Sequence, residues 1–290
     1  MTTLSGLVTV TGVAGLATGL GAIPVFFRSR VSHRTYDAAL GLAAGLMVAA
    51  GVFGLIVPGL EAGTLAAVMG GFFLGGVALL GGNYAIPHLH AQYRAWLPEG
   101  GATEVDVASM PSPVEGDPAV APDEAGVDGG TASADAAARE VTLRKALLIG
   151  GAITLHNAPE GLAIGVAFAS RLEEVALLLA VVIGLQNVPD GFAFAVPMSD
   201  TGMSNARVLL YTTLSGVVPQ VVAAVFGFSL VSVAAGLFPV SSGFAAGAML
   251  AVVFRELIPS SHGHGHADAA TGAFLVGFVL LVVVDAVVVV

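Results

Sequence analysis

The sequence contains no cysteine, so disulfides and thiolate metal sites are both excluded, and any metal must be held by nitrogen, oxygen or thioether ligands. Charge is also scarce. Only 10% of the 290 residues are Asp, Glu, Lys or Arg, against 56% hydrophobic, and the mean hydropathy is +0.90. That balance excludes an ordinary water-soluble domain and reads as an integral membrane protein. Basic residues number ten against twenty acidic ones, which leaves no basic surface for nucleic acid. Ten of the acidic residues lie between Glu99 and Glu140, so the net charge of −10 is largely the property of one segment.

What is abundant is apolar sequence in lengths suited to a bilayer. Met1 to about Phe27 has no basic n-region and no evident cleavage site, and reads as a first spanning helix rather than a removed signal peptide. Further spans are expected near 36–57, 64–87, 143–169, 174–197, 206–235, 239–259 and 269–290, each close to the roughly 20 residues a bilayer demands. The expected fold is an all-α polytopic membrane protein of eight transmembrane helices. The loops then divide sharply by charge: Arg28, Arg30, Arg34, Arg94, Arg139, Arg144, Lys145, Arg207 and, nearby, Arg255 fall on odd loops, and only Arg171 on an even one. The positive-inside rule places odd loops in the cytoplasm and both termini outside.

Four regions follow: 1–91 with the first three helices, an acidic cytoplasmic loop over 92–141, 142–198 with helices four and five, and 199–290 with helices six to eight. The 92–141 loop is rich in Pro, Gly, Ala, Ser and acid and is expected to be disordered.

Two stretches thirty residues apart carry the chemistry: His156-Asn157-Ala158-Pro159-Glu160-Gly161 and Gln186-Asn187-Val188-Pro189-Asp190-Gly191. A carboxylate at the centre of a membrane helix costs on the order of 3 kcal/mol unless compensated, and a bound cation is the natural compensation. His156 and Glu160 are four residues apart and share a helical face, as do Gln186 and Asp190. Pro159 and Pro189 each free a backbone carbonyl, those of Leu155 and Leu185, a form of irregularity tolerated at membrane depth where it is buried in protein or lines a cavity. A second repeat relates Gly41-Leu-Ala-Ala-Gly-Leu-Met47 to Gly243-Phe-Ala-Ala-Gly-Ala-Met249. These fall on helices two and seven, which cross in opposite senses, so a 3+2+3 arrangement with inverted repeats is expected.

Taken with Pro87-His88-Leu89-His90 closing helix three and Glu256-Leu257-Ile258-Pro259 closing helix seven, these motifs resemble the ZIP family of divalent-metal transporters, in particular its prokaryotic zinc-transporter branch. The resemblance implies import of Zn²⁺, and in other members Fe²⁺, Mn²⁺ or Cd²⁺, into the cytoplasm across the cell membrane, through a site between helices four and five, by a protein that is often a homodimer. It implies no enzymatic activity and no cofactor beyond the transported metal. Carried over by position, the metal site is His156, Glu160, Gln186 and Asp190, with Met47 as a thioether neighbour and Asn157 and Asn187 as weaker polar neighbours. Asp190 stands where the family usually has Glu. Members with a second adjacent site have an acid after the helix-five glutamine and a Glu on helix six, whereas this chain has Asn187 and, in Ser215-Gly-Val-Val-Pro-Gln220, no acid. One strong site is therefore expected.

His88, His90, Glu256 and the alternating His262, His264 and His266 are candidates for metal exit or gating. Imidazole mixed with carboxylate suits Zn²⁺, Fe²⁺ or Mn²⁺ better than Mg²⁺. Alternating access around a fixed site is the expected mechanism. The same ligands in a channel would have to bind weakly, so a selective divalent-metal channel is the main rival. A metalloprotease would need His-Glu-x-x-His or similar spacing, which does not occur.

Overall fold

A computed structural model describes residues 3–27, 32–94, 156–199 and 203–288. Helix α1 is Leu4–Leu20, followed by a short turn of helix at Ile23–Phe26. Helix α2 begins at His33–Ala49, widens into a π-helical segment at Ala50–Ile56 and resumes as Val57–Ala62. Helix α3 is Leu65–Arg94, α4 covers 156–169, α5 is Glu173–Ser199 and α6 is Asn205–Val233. Helix α7 repeats the plan of α2: Phe238–Val252, a π-helical segment at Val253–Leu257, then Ile258–Ser261. Helix α8 is Ala267–Val288. Among the described residues there are no strands. The acidic segment, apart from 92–94 at the end of α3, lies outside them, as do the side chains of His88 and His90.

Seven of these helices are long and apolar enough to cross a membrane; α4 is described only from His156 onward. The sequence places its helix starts where side chains can take up orphan backbone donors. The hydroxyl of Thr3 accepts from the Gly6 amide, Ser32 from Thr35 and Thr64 from Ala67. The outward residues are large and apolar, Phe73, Val77, Val181, Val222, Phe226 and Leu275 among them, as lipid-facing positions require.

Both π-helical segments precede a proline at the next turn, Pro58 and Pro259. Proline lacks the amide that would continue the ladder, and its ring crowds the preceding turn. Widening the helix there accommodates it, and such bulges recur at functional sites. The sequence repeat in α2 and α7 thus extends to a shared backbone irregularity, which the apolar pattern around it did not announce.

Helices pair closely where small residues recur four apart. Gly41 and Gly45 of α2 lie against the backbone of α8 at Ala270 and Phe274. Gly71 and Gly75 of α3 face Gly243 and Gly247 of α7 in reciprocal fashion, through Val240 and Phe244 on one side and Val68 and Phe72 on the other. Gly161 and Gly165 of α4 meet Gln220 and Ala224 of α6, while α1 packs on both α5 and α6. Two groups result, α2 with α3, α7 and α8, and α1 with α4, α5 and α6, meeting chiefly where α2 lies along α5.

Gly191 and Gly184 both lie where α5 faces α1, but their surroundings differ. A Cβ on Gly191 would overlap the Thr18 carbonyl oxygen, whereas one on Gly184 would sit 3.6 Å from Ala14 Cα. Gly191→Ala is expected to destabilise by about 1–3 kcal/mol because backbone must move. Gly184→Ala should be neutral or stabilising, by up to about 1 kcal/mol through helix propensity. Thermal unfolding of the detergent-solubilised variants checks the order.

Candidate metal site

Helix geometry brings His156 and Glu160 of α4 onto the face that meets Gln186 and Asp190 of α5. All four are buried, Glu160 and Gln186 fully. His156 Nε2 lies 3.8 Å from Glu160 Oε1 and 3.5 Å from Asp190 Oδ2. The imidazole nitrogen and the two carboxylates each offer an atom within 4.8 Å of the others. Bonds of 2.0–2.1 Å in tetrahedral geometry put ligand atoms about 3.3 Å apart, so the three would draw in by up to about 1.5 Å around a Zn²⁺-sized ion.

The hydrogen-bond inventory points the same way. Gln186 Nε2 donates to Glu160 Oε1, and since an ionised carboxylate can only accept, this fixes the amide with its oxygen on the other side. Five buried atoms at the site then have no hydrogen-bond partner among the described residues: His156 Nε2, Glu160 Oε2, Gln186 Oε1, Asp190 Oδ1 and Asp190 Oδ2. Buried polar atoms are rarely left so. All five can present lone pairs, and among the described residues the only approach across the set is His156 Nε2 to the two carboxylates, at 3.5 and 3.8 Å, long for a hydrogen bond. A cation satisfies such a set; a structural hydrogen-bond network would have supplied donors.

The imidazole is held from both edges. While Nε2 faces Glu160 and Asp190, Nδ1 lies 3.6 Å from Oε2 of Glu256, which the π-helical segment of α7 carries in from the other helix group. Glu256 is partly exposed, at 26% of its side chain. One histidine therefore lies between a buried carboxylate pair on one side and a partly exposed carboxylate on the other.

Met47 is fully buried in the core of α2. The two expected asparagine neighbours turn away from the site. Asn187 turns its amide toward α1 and α6, donating to the Ala14 carbonyl at 2.9 Å and to Gln220 Oε1 at 3.0 Å. Asn157 donates to the Ser215 carbonyl at 3.3 Å. Both asparagines tie α4 and α5 to their neighbours behind the site. Gln220 is a partner the sequence reading noted only for not being acidic; nothing in its local pattern announced the bond to Asn187, 33 residues away.

With this geometry in view, comparison with known proteins becomes decisive. The family model for the ZIP zinc transporter matches residues 2–285. This chain belongs to the ZIP family. It is 34% identical to zinc transporter GufA of Myxococcus xanthus over 94% of this chain and 95% of that one. It is also 34% identical to zinc transporter ZIPB of Bordetella bronchiseptica, over 97% of this chain and 81% of the relative. Human zinc transporter ZIP11 is 33% identical over 92% and 93% of the two chains. As a ZIP member the protein is a multi-pass membrane transporter of divalent metal, not an enzyme.

Asn187→Ala removes the donor that Gln220 and Ala14 share; the Ala14 carbonyl keeps its place in the ladder of α1, but the buried Gln220 amide oxygen loses its donor. The substitution should destabilise the chelator-treated protein by about 1–3 kcal/mol. Thermal unfolding against a Ser229→Ala control, whose hydroxyl bonds only within its own helix, measures this.

Proposed function

We propose that this protein imports Zn²⁺ into the cytoplasm by alternating access through the site formed by His156, Glu160, Gln186 and Asp190. The observation that carries the reading is the convergence of five buried lone-pair atoms, without donors among the described residues, at the meeting of α4 and α5. The names of the relatives support zinc as the substrate. The shorter Asp190 leaves room for Fe²⁺, Mn²⁺ and Cd²⁺ as competitors, since all accept imidazole and carboxylate.

Direction follows from the basic residues: odd loops are cytoplasmic, both termini extracellular, and the helices form a 3+2+3 arrangement in which α1–α3 and α6–α8 are inverted repeats. The shared π-helical breaks of α2 and α7 support that pairing. The α7–α8 turn then faces the cytoplasm, and Glu256 receives the ion from His156 on its way there, with His264 and His266 beyond. Met47, Asn157 and Asn187 shape the site without being strong ligands, and His88 and His90 stand at the same face. His262 is engaged elsewhere, its Nδ1 lying 2.9 Å from the Ile258 carbonyl and 3.0 Å from Ser261 Oγ. Pairing of two chains into a homodimer belongs to the same reading.

Proteoliposomes loaded with a zinc-responsive dye test it. Uptake should saturate with external Zn²⁺, and His156→Ala and Glu160→Ala should each abolish it. Flux that rises without saturation would show a channel, and normal flux in both variants would overturn the site. Competition by Fe²⁺, Mn²⁺ and Cd²⁺ ranks the substrates.

A further inference from the structure

The two helix groups meet along α2 and α5, and the contacts there change character from one end to the other. Early in α5, the Leu179 side chain lies against Gly54 of α2. Thirteen residues later, about 20 Å along the helix at 1.5 Å per residue, Phe192 meets Tyr36 of α2. The ring centroids are 5.7 Å apart and the planes tilted by 56°. Four ring pairs occur among the described residues. Three lie within the group of α2, α3, α7 and α8, and the pair of Tyr36 with Phe192 alone joins the two groups.

Tyr36 is braced on its own side of the seam. His264, in the turn between α7 and α8, meets it edge-on at 5.5 Å and 90°. His264 is itself fixed: its Nδ1 donates to Asp37 Oδ1 at 2.8 Å, the carboxylate being able only to accept, and its ring stacks on His33 at 4.4 Å. Asp37, one turn into α2, is completely shielded from solvent, and its Oδ2 lies 3.5 Å from His266 Nδ1. Gly265 turns the chain between the two histidines with φ +81°, a left-handed conformation that glycine adopts without penalty. The Tyr36 ring is therefore a fixed projection of one group laid against a ring of the other, two residues beyond Asp190 on α5.

We infer that the contact of Tyr36 with Phe192 is a latch between the two helix groups, holding the cytoplasmic end of their seam together and parting once in each transport cycle. An aliphatic side chain against a glycine can slide, whereas two rings have preferred geometries and lose their added attraction when displaced. The size of the contact suits the task. One ring pair biases a conformation by a factor of roughly two to ten, enough to favour a closed seam without fastening it permanently. Tyr36 acts through the seam and is not a ligand of the ion. The inference rests on the proposed transport and its orientation, which put Phe192 on the cytoplasmic side of Asp190.

The sequence has no cysteine, so thiols can be introduced in chosen pairs. In proteoliposomes, full-length Tyr36→Cys/Phe192→Cys should import Zn²⁺ until a short bis-methanethiosulfonate joins the two sulfurs, and reduction of that bridge should restore uptake. Phe53→Cys/Phe278→Cys, bridged within one helix group, should import Zn²⁺ with or without its bridge. Uptake that continues through a bridge between positions 36 and 192 overturns the latch. No uptake by the native chain or by any reduced variant overturns the transport reading itself, and the latch with it. A second measurement needs no bridge: Tyr36→Leu and Phe192→Leu should each speed uptake roughly two- to tenfold, and the double variant no more than either alone. Tyr36→Phe keeps the ring and should restore the native rate. Single effects that multiply in the double variant, or no effect in either single variant, also overturn the latch.

Discussion

Two carboxylates facing one imidazole inside an apolar bundle set the terms for everything else in this protein. Glu160 and Asp190 are buried, and the described residues give them one hydrogen bond, from Gln186 to Glu160. At membrane depth a buried negative charge without compensation is among the costliest arrangements a fold can hold. The surrounding helices are built so that compensation can arrive from outside as an ion and leave again. A stronger protein partner, such as a buried arginine, would have stabilised the bundle and ended its usefulness.

The polar residues behind the site serve a different end from those within it. Asn157 and Asn187 immediately follow the ligands His156 and Gln186 in sequence, yet their amides reach away, to Ser215 on α6 and to Ala14 and Gln220 on α1 and α6. Adjacent positions on a helix point about 100° apart. The same two motifs therefore present ligands on one face and helix-to-helix bonds on the next, which is why the site keeps its shape with one internal donor, the Gln186 amide.

Much of this was legible beforehand because it rests on short-range periodicity. The spacing of His156 to Glu160 and of Gln186 to Asp190 places ligands on one face in any α-helix, and the apolar runs mark the spans, that of α4 being described only from His156. The π-helical segments were not legible, since Pro58 and Pro259 read equally well as span ends. Nor was the division among the three histidines of the α7–α8 turn: their sequence alternates evenly, but His262 bonds its own turn while His264 and His266 reach an acid 227 and 229 residues away. A signal for Asp37 did exist. His33 and Asp37 repeat the His-x-x-x-acid spacing of His156 and Glu160, but at the start of a span, where a charged residue attracts no notice.

The close helix pairs meet backbone to backbone, whereas the seam between the two groups is lined differently: Gly54 of α2 lies against the side chain of Leu179 on α5, not against its main chain. Side chains can change rotamer to admit a methyl group, and a main-chain carbonyl cannot. Inheritance should therefore act unevenly on this molecule. Within each group, drift in residue size is closed off at the glycines that meet a neighbouring main chain, such as Gly45, Gly75, Gly161 and Gly191. Along the seam between the groups it remains open, so the friction between the two bodies is the property that small substitutions can adjust without dismantling either one.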